Sequence, residues 1–321
     1  MNKKLLKNIF LKSLFIRKIE EQIAKKYSEQ EMRCPIHLSI GQELQAVTIC
    51  NVLTKQDIVF SNHRSHAHYL SKDCSPEKMI CELYGKKNGC LNGRGGSMHL
   101  QDISKNFFGS LPIVGSGLAL ATGTAFAQKR NKKNSISAVF LGDGTMEEGI
   151  VHETMNFSSI FKIPLLFICE NNFYSIFTHL KDRQPNNDMT RFAKAHNIKS
   201  ANVNSFEIFK LINISREAVQ YVRKNKKPFF LQINTYRFLE HCGPNNDDSI
   251  NYRPKKEINF WKERDPLILL KNIILKNKIL TLNNLKKIEY DFNLKINKIF
   301  TFAKNSEFPN PNDAGINVYA K

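Results

Sequence analysis

Apolar and polar positions follow two different rhythms along this chain. Near the N-terminus Leu11, Leu14, Phe15, Ile19 and Ile23 recur at three- and four-residue intervals, which predicts a helix over residues 5–27. Further on, the spacing gives way to two unbroken apolar runs. They are Ile136-Ser137-Ala138-Val139-Phe140-Leu141 and Ile163-Pro164-Leu165-Leu166-Phe167-Ile168-Cys169. Their length and their β-branched and aromatic content predict buried strands. A helical stretch over 147–160 lies between them, so the three segments form a βαβ unit with a right-handed crossover. Shorter strands are predicted at Asp57-Ile58-Val59-Phe60 and over 228–234. Residues 36–53 read as a turn leading into a second helix, and further helices are expected near 76–84 and over Leu118–Ala127. Residues 92–99 and 105–116 read as loops. Alternating strands and helices point to an α/β fold with a parallel sheet, in one domain spanning 1–321. It carries an N-terminal helical arm over about 1–30 and a C-terminal helical tail over about 256–304. The last residues, 305–321, hold Pro309, Pro311 and Gly315 and are expected to be loosely ordered.

Each long apolar run ends in a polar cluster. The first leads into Gly142-Asp143-Gly144 and the second, after 26 intervening residues, into Asn171-Asn172. Two predicted strands therefore present polar residues at their C-terminal ends, the edge at which open α/β sheets bind ligands. An Asp carboxylate and an Asn carbonyl are hard oxygen donors, suited to a small divalent cation that carries a diphosphate. Asp143 can equally be a turn aspartate that caps the following helix. Gly144 and Thr145 would then offer backbone N–H groups to phosphate at a helix N-terminus. Asn171-Asn172 can be an ordinary turn pair. Glu147 and Glu148 fall in the first turn of the predicted helix and suit its dipole.

Composition narrows the partner classes. The formal net charge is +19, but the lysines are scattered and no zinc-finger, RNP or homeodomain pattern accompanies them. The charge reads as solvated surface, and neither nucleic acid nor a membrane is expected as a partner. No apolar run approaches the ~20 residues of a membrane span. Seven cysteines occur, an odd number without any Cys-x-x-Cys, which argues against a disulfide framework and a structural zinc site. A reducing cytoplasm is the expected compartment. The basic start Met1-Asn2-Lys3-Lys4 could open a transit peptide, but the helical spacing continues past it and Glu20-Glu21 intrude, so a docked first helix is expected.

The motif pair, read with its flanks, resembles the α subunit of the thiamine diphosphate-dependent E1 component of 2-oxo acid dehydrogenases (pyruvate, branched-chain or acetoin type). The resemblance runs from about residue 8 to about 270. It rests on Phe15 to Glu21, His37-Leu38-Ser39-Ile40-Gly41-Gln42-Glu43, and His63-Arg64-Ser65-His66-Ala67-His68. Gly93-Arg94-Gly95-Gly96-Ser97-Met98-His99, Pro112-Ile113-Val114-Gly115, Tyr252-Arg253 and Arg264-Asp265-Pro266 extend it.

The resemblance implies a thiamine diphosphate-binding fold, a mostly parallel sheet flanked by helices on both faces. It implies thiamine diphosphate (ThDP) and Mg²⁺ as cofactors, with Asp143, Asn172 and the backbone carbonyl of Tyr174 as metal ligands. Arg64 is implied as the phosphate fork, with His63 beside it and His241 on a loop over the diphosphate as the candidate catalytic residue of this chain. Ile113 and Val114 would flank the aminopyrimidine, although both can be simple core. His66, His68, His99 and His152 read as packed or surface residues. The glutamate that activates ThDP is implied on a β subunit, giving an α₂β₂ assembly that decarboxylates a 2-oxo acid and passes the acyl group to a lipoyl-bearing E2. A two-chain decarboxylase or transketolase-like carboligase without lipoyl transfer is the alternative.

One block departs from the family. Its Arg-Tyr-His-Gly-His-Ser reads Arg237-Phe238-Leu239-Glu240-His241-Cys242 here, and the loop continues through Gly243 to Asp248. Phosphorylation at the family's serine position is therefore not expected.

Overall fold

The computed structural model describes residues 2–316. Its centre is a six-stranded sheet in the order β2-β1-β3-β4-β8-β7, every neighbouring pair parallel. The strands are β1 (Ile58–Ser61), β2 (Phe107–Ser110), β3 (Ser137–Gly142), β4 (Leu165–Asn171), β7 (Lys199–Asn204) and β8 (Phe229–Asn234). A two-stranded antiparallel ribbon, β5 (Tyr174–Ser175) with β6 (Thr178–His179), stands apart.

The predicted βαβ unit is present. β3 and β4 run in register from Ser137 opposite Leu165 to Gly142 opposite Glu170. Their continuous apolarity follows from burial on both faces. Ala138 and Phe140 join one core cluster, while Val139 and Leu141 join the other. The first face is covered by α1 (Lys3–Tyr27), α2 (Glu43–Val52) and α8 (Ile208–Asn225), and the second by α5 (Ser116–Arg130), α6 (Gly149–Ile160) and α7 (Thr190–Ala195). α1 is a docked element, because Ile9, Phe10, Ile16, Ile19 and Ile23 are buried in the first cluster. Short helices α3 (His66–Ser71) and α4 (Pro76–Leu83) follow β1, and α9 (Lys255–Glu263), α10 (Pro266–Lys276) and α11 (Leu282–Asn305) make up the C-terminal part.

Two expectations change. The helix predicted to begin at 147 begins at Gly149, because a 3₁₀ turn over Asp143–Glu147 intervenes. The segment read as the loop 105–116 contains edge strand β2, and the sheet has a second edge strand, β7, that the apolar pattern does not announce. Among residues 305–316 the structure has one further 3₁₀ turn, Pro311–Asp313; residues 317–321 lie outside the described residues. No described helix is long and apolar enough to cross a membrane. All seven cysteines are free.

Candidate functional site

The C-terminal ends of β1, β3 and β4 open into a cleft of about 220 Å³. Two adjacent crossovers leave on opposite faces here: the connection from β1 passes through α3, and that from β3 through α6. The strand ends thus diverge into a crevice, as the geometry of open parallel sheets dictates. Asn62, His63, Arg64, Ile113, Val114, Asp143, Gly144, Thr145, Asn172, Tyr174 and His241 all line it. Every site residue expected from the sequence is therefore on one wall or rim of a single cavity.

One end of the cleft is basic. Arg64 is 5% exposed and donates to the carbonyls of Leu38 (2.6 Å) and His241 (3.0 Å). No carboxylate pairs with it among the described residues. Burial, and then the Arg237 charge, hold its pKa down to about 9. Around it stand His37, His63 and His241, with one ring nitrogen from each lying within 4.8 Å of the others. Burial, followed by the Arg64 charge, lowers them to about 2, 4 and 3 respectively, so all three imidazoles are neutral at pH 7. The buried Nδ1 of His37 has no partner. Three neutral imidazoles can gather a transition metal. The unpaired guanidinium beside them repels a cation and attracts an anion, so the basic end suits phosphate. A backbone bridge between His37 and Gly243 brings the 241–243 loop over this end.

The other end is acidic. Asp143 is 1% exposed, and burial pushes its acid above the ordinary carboxylate range against the pull of Arg183. Arg183 forks across Asp143 and Glu147. Glu147 therefore serves an ion pair and not the start of α6, which corrects the sequence reading. Asp143 makes no side-chain cap for α6, whose N-cap position is Glu148. The N–H groups of Gly144 and Thr145 accordingly belong to the 3₁₀ turn and not to a helix terminus. The backbone at Gly144 passes close to β5: an added Cβ would stand 3.0 Å from the Ser175 hydroxyl. Asn172 Oδ1 accepts from the Tyr174 N–H (3.1 Å), and its Nδ2 reaches Gln42 Oε1 (3.4 Å). The Tyr174 hydroxyl donates to Glu257 (2.9 Å).

On the rim, Ile113 is 74% exposed and Val114 46%. They are not core, and they precede Gly115, whose positive φ of 87° opens α5.

Buried side chains brace the walls. His66 joins Glu20 (2.7 Å) to Ser97 (2.8 Å), tying α1 to the glycine-rich loop, and Glu20 also accepts from the Ser39 N–H (2.6 Å). His68 joins the Ser61 hydroxyl (2.7 Å) to Glu170 (3.1 Å) beneath the cleft, stacked on Phe140. Arg17 binds Glu43 and Asp265 (2.9 Å), and Glu43 accepts from the Gly41 N–H (3.1 Å), which holds the turn that presents Gln42. His66 and His68 are thus packed, as expected; His99 is surface, and His152 is exposed against His196 (3.1 Å).

The atypical loop has its own anchor. Asp247, 2% exposed, pairs with Arg253 and Arg237 and accepts from the Tyr252 hydroxyl. Arg237 in turn donates to the Leu239 carbonyl (2.6 Å), two residues before His241. Sequence reasoning missed Arg183 altogether and named Asp247 only as part of the departing loop, without a role. It quoted His37 and Gln42 within a motif without a role for either. His37 stood in a recognisable block, whereas nothing in the sequence links Arg183 to Asp143 across 40 residues.

The sequence profile described as "Dehydrogenase E1 component" matches residues 12–312. The chain is 34% identical over 310 residues to the pyruvate dehydrogenase E1 component subunit alpha of Rickettsia felis, covering 97% of this chain and 94% of that one. It is 33% identical over 319 residues to the mitochondrial pyruvate dehydrogenase E1 alpha subunit of Dictyostelium discoideum, covering 99% and 83%. It is 30% identical over 312 residues to the alpha subunit of acetoin:2,6-dichlorophenolindophenol oxidoreductase of Bacillus subtilis, covering 97% and 92%.

Proposed function

The chain belongs to the dehydrogenase E1 component family, and on that premise we propose that its cleft is the diphosphate- and metal-holding half of a 2-oxo acid dehydrogenase active site. The protein is an oxidoreductase subunit acting on 2-oxo acids, with thiamine diphosphate as the cofactor its family implies. Pyruvate is the substrate we favour, from the named activity of the relatives with 33–34% identity.

The observation that carries the site assignment is the polarity of the cleft. A buried guanidinium without a carboxylate partner among the described residues, and the neutral imidazoles of His63 and His241, face a buried carboxylate and an amide across one cavity. An anion that carries its own cation satisfies both ends at once. Arg64, His63 and His241 would hold the diphosphate; Asp143, Asn172 and the carbonyl of Tyr174 would hold Mg²⁺. Gly144 and Thr145 would add backbone contacts, and Ile113 and Val114 an apolar rim. The bound cofactor supplies the electron sink for decarboxylation.

What this chain does is narrower. Its residues bind the charged end, fix the orientation of the rest, and shield it with the loop through His241. Because the imidazoles of His63 and His241 are held neutral, each can donate one N–H to phosphate or take one proton as negative charge arrives. The acid that activates the cofactor falls to the β subunit, in an α₂β₂ assembly that delivers its acyl group to a lipoyl-bearing E2. Free cysteines throughout suit a reducing cytoplasm.

The test is co-expression with the cognate β chain. ThDP- and Mg²⁺-dependent release of CO₂ from pyruvate, with acylation of a lipoyl domain, is expected. Turnover by this chain alone would overturn the half-site assignment. Decarboxylation without lipoyl acylation would move the protein to the carboligase reading.

A further inference from the structure

We propose that Arg183 is the resident counter-cation of the metal site: it neutralises Asp143 while no metal is bound, and swings onto the incoming diphosphate when the metal takes Asp143. This makes metal and diphosphate bind as a coupled pair. The inference rests on the assignment of Asp143 to the metal.

Three observations carry it. Asp143 is 1% exposed, and an ionised carboxylate buried that deeply needs a cation beside it. Arg183 is that cation, one guanidinium nitrogen on Asp143 and another on Glu147. It follows a 3₁₀ turn over Leu180–Asp182, outside any α-helix or strand, and its Nε donates to the Thr178 carbonyl (3.2 Å).

The two partners of Arg183 differ in a way that defines the movement. The Asp143 side chain is enclosed, whereas that of Glu147 is 31% exposed. A divalent cation on Asp143 would place three positive charges around one carboxylate, so the metal and Arg183 compete for it. Glu147 remains as a mooring, and displacement is then a swing about Glu147 and not a release into solvent. Gly144 puts no side chain between the guanidinium and the turn that bears Asp143: an added Cβ would lie 3.9 Å from the nearer guanidinium nitrogen, in van der Waals contact. A diphosphate brings the negative charge that the displaced guanidinium lacks, and Arg is suited to accept it bidentately. Metal alone therefore meets a competitor, while metal with diphosphate meets a partner.

The experiment is a titration of the assembled α/β complex, freed of cofactor, with Mn²⁺ as the spectroscopic stand-in for Mg²⁺. Free Mn²⁺ is followed by electron paramagnetic resonance with and without ThDP. The wild type is expected to bind Mn²⁺ weakly alone and far more tightly with ThDP. In R183Q, affinity for Mn²⁺ alone should rise about tenfold, and the enhancement by ThDP should shrink, since coupling between two ligands is reciprocal. In E147Q, where Arg183 has only Asp143 to hold, affinity for Mn²⁺ alone should fall. This second variant keeps the inference open to refutation if R183Q does not assemble. Unchanged affinities for Mn²⁺ alone in the variants that assemble would overturn the counter-cation role. If D143N binds Mn²⁺ with ThDP as well as the wild type, the metal assignment itself fails, and that outcome is distinct from the first.

Discussion

The side chain of Arg64 donates to the main-chain carbonyl of His241, 3.0 Å away and 177 residues further along the chain. The contact joins the residue at the end of β1 to the loop that closes the basic end of the cleft. One guanidinium thus positions the loop and presents its charge to the cavity.

Replacing Arg64 with methionine is expected to weaken ThDP binding by ~1.5–3 kcal/mol, the scale of a charge-assisted hydrogen bond lost without a substitute. The same change should alter the stability of the cofactor-free protein little, because relief of a buried charge offsets the loss of its hydrogen bonds to the Leu38 and His241 carbonyls. Calorimetric titration with ThDP and a thermal melt of the empty complex separate the two effects. A large drop in melting temperature with unaltered ThDP affinity would contradict the binding role.

Acid should destabilise the cofactor-free protein through the histidine cluster. His37, His63 and His241 titrate near 2, 4 and 3 when folded, against 6.5 for a free imidazole. Between pH 6.5 and 4 the unfolded chain holds protons that the folded chain lacks, so stability rises with pH across that window and is lost as pH falls. Each histidine contributes a slope of ~1.4 kcal/mol per pH unit. Urea midpoints from pH 4.5 to 7 measure the slope, which H63Q should reduce by one proton's worth. Bound diphosphate favours the charged ring, so loading should take up protons in the same window. A flat stability profile in both proteins would count against it.

Asp247 should be a stability residue despite lying in the loop that departs from the family. Asp247→Ala leaves Arg253 and Arg237 buried without their shared carboxylate. The expected loss is ~3–5 kcal/mol. Because Arg237 also holds Leu239, proteolysis within 239–248 should accelerate. Equal cleavage rates in the two proteins would show that the loop is ordered by other contacts.

Asp143→Asn keeps one oxygen but removes the charge. Mg²⁺ affinity in the presence of ThDP should fall tenfold or more, about 1.4 kcal/mol at the least. Excess Mg²⁺ should restore binding in part, and chelation should strip the variant at concentrations the wild type withstands. Equal chelator resistance would remove Asp143 from the metal site.

Much of this architecture was legible from periodicity. β3 and β4 are buried on both faces, so they must be apolar at every position, and their ends must fall where polarity returns. That argument located Gly142-Asp143-Gly144 and Asn171-Asn172 at adjoining strand ends. It could not find β2, only four residues long, or β7, whose Lys199-Ser200-Ala201-Asn202-Val203-Asn204 carries little apolar signal. Edge strands are stabilised by one neighbour's hydrogen bonds, and composition need not record that.

By itself, the sequence determined the βαβ unit, the family blocks and the chemical types gathered at the strand ends, because burial and turn formation act on neighbouring residues. Only the tertiary structure decided that His37 joins His63 and His241, that Arg64 has no acid to neutralise it among the described residues, and that Arg183 reaches back to Asp143. Those relations depend on where distant segments meet, and charge interactions fall off with separation in space, not along the chain.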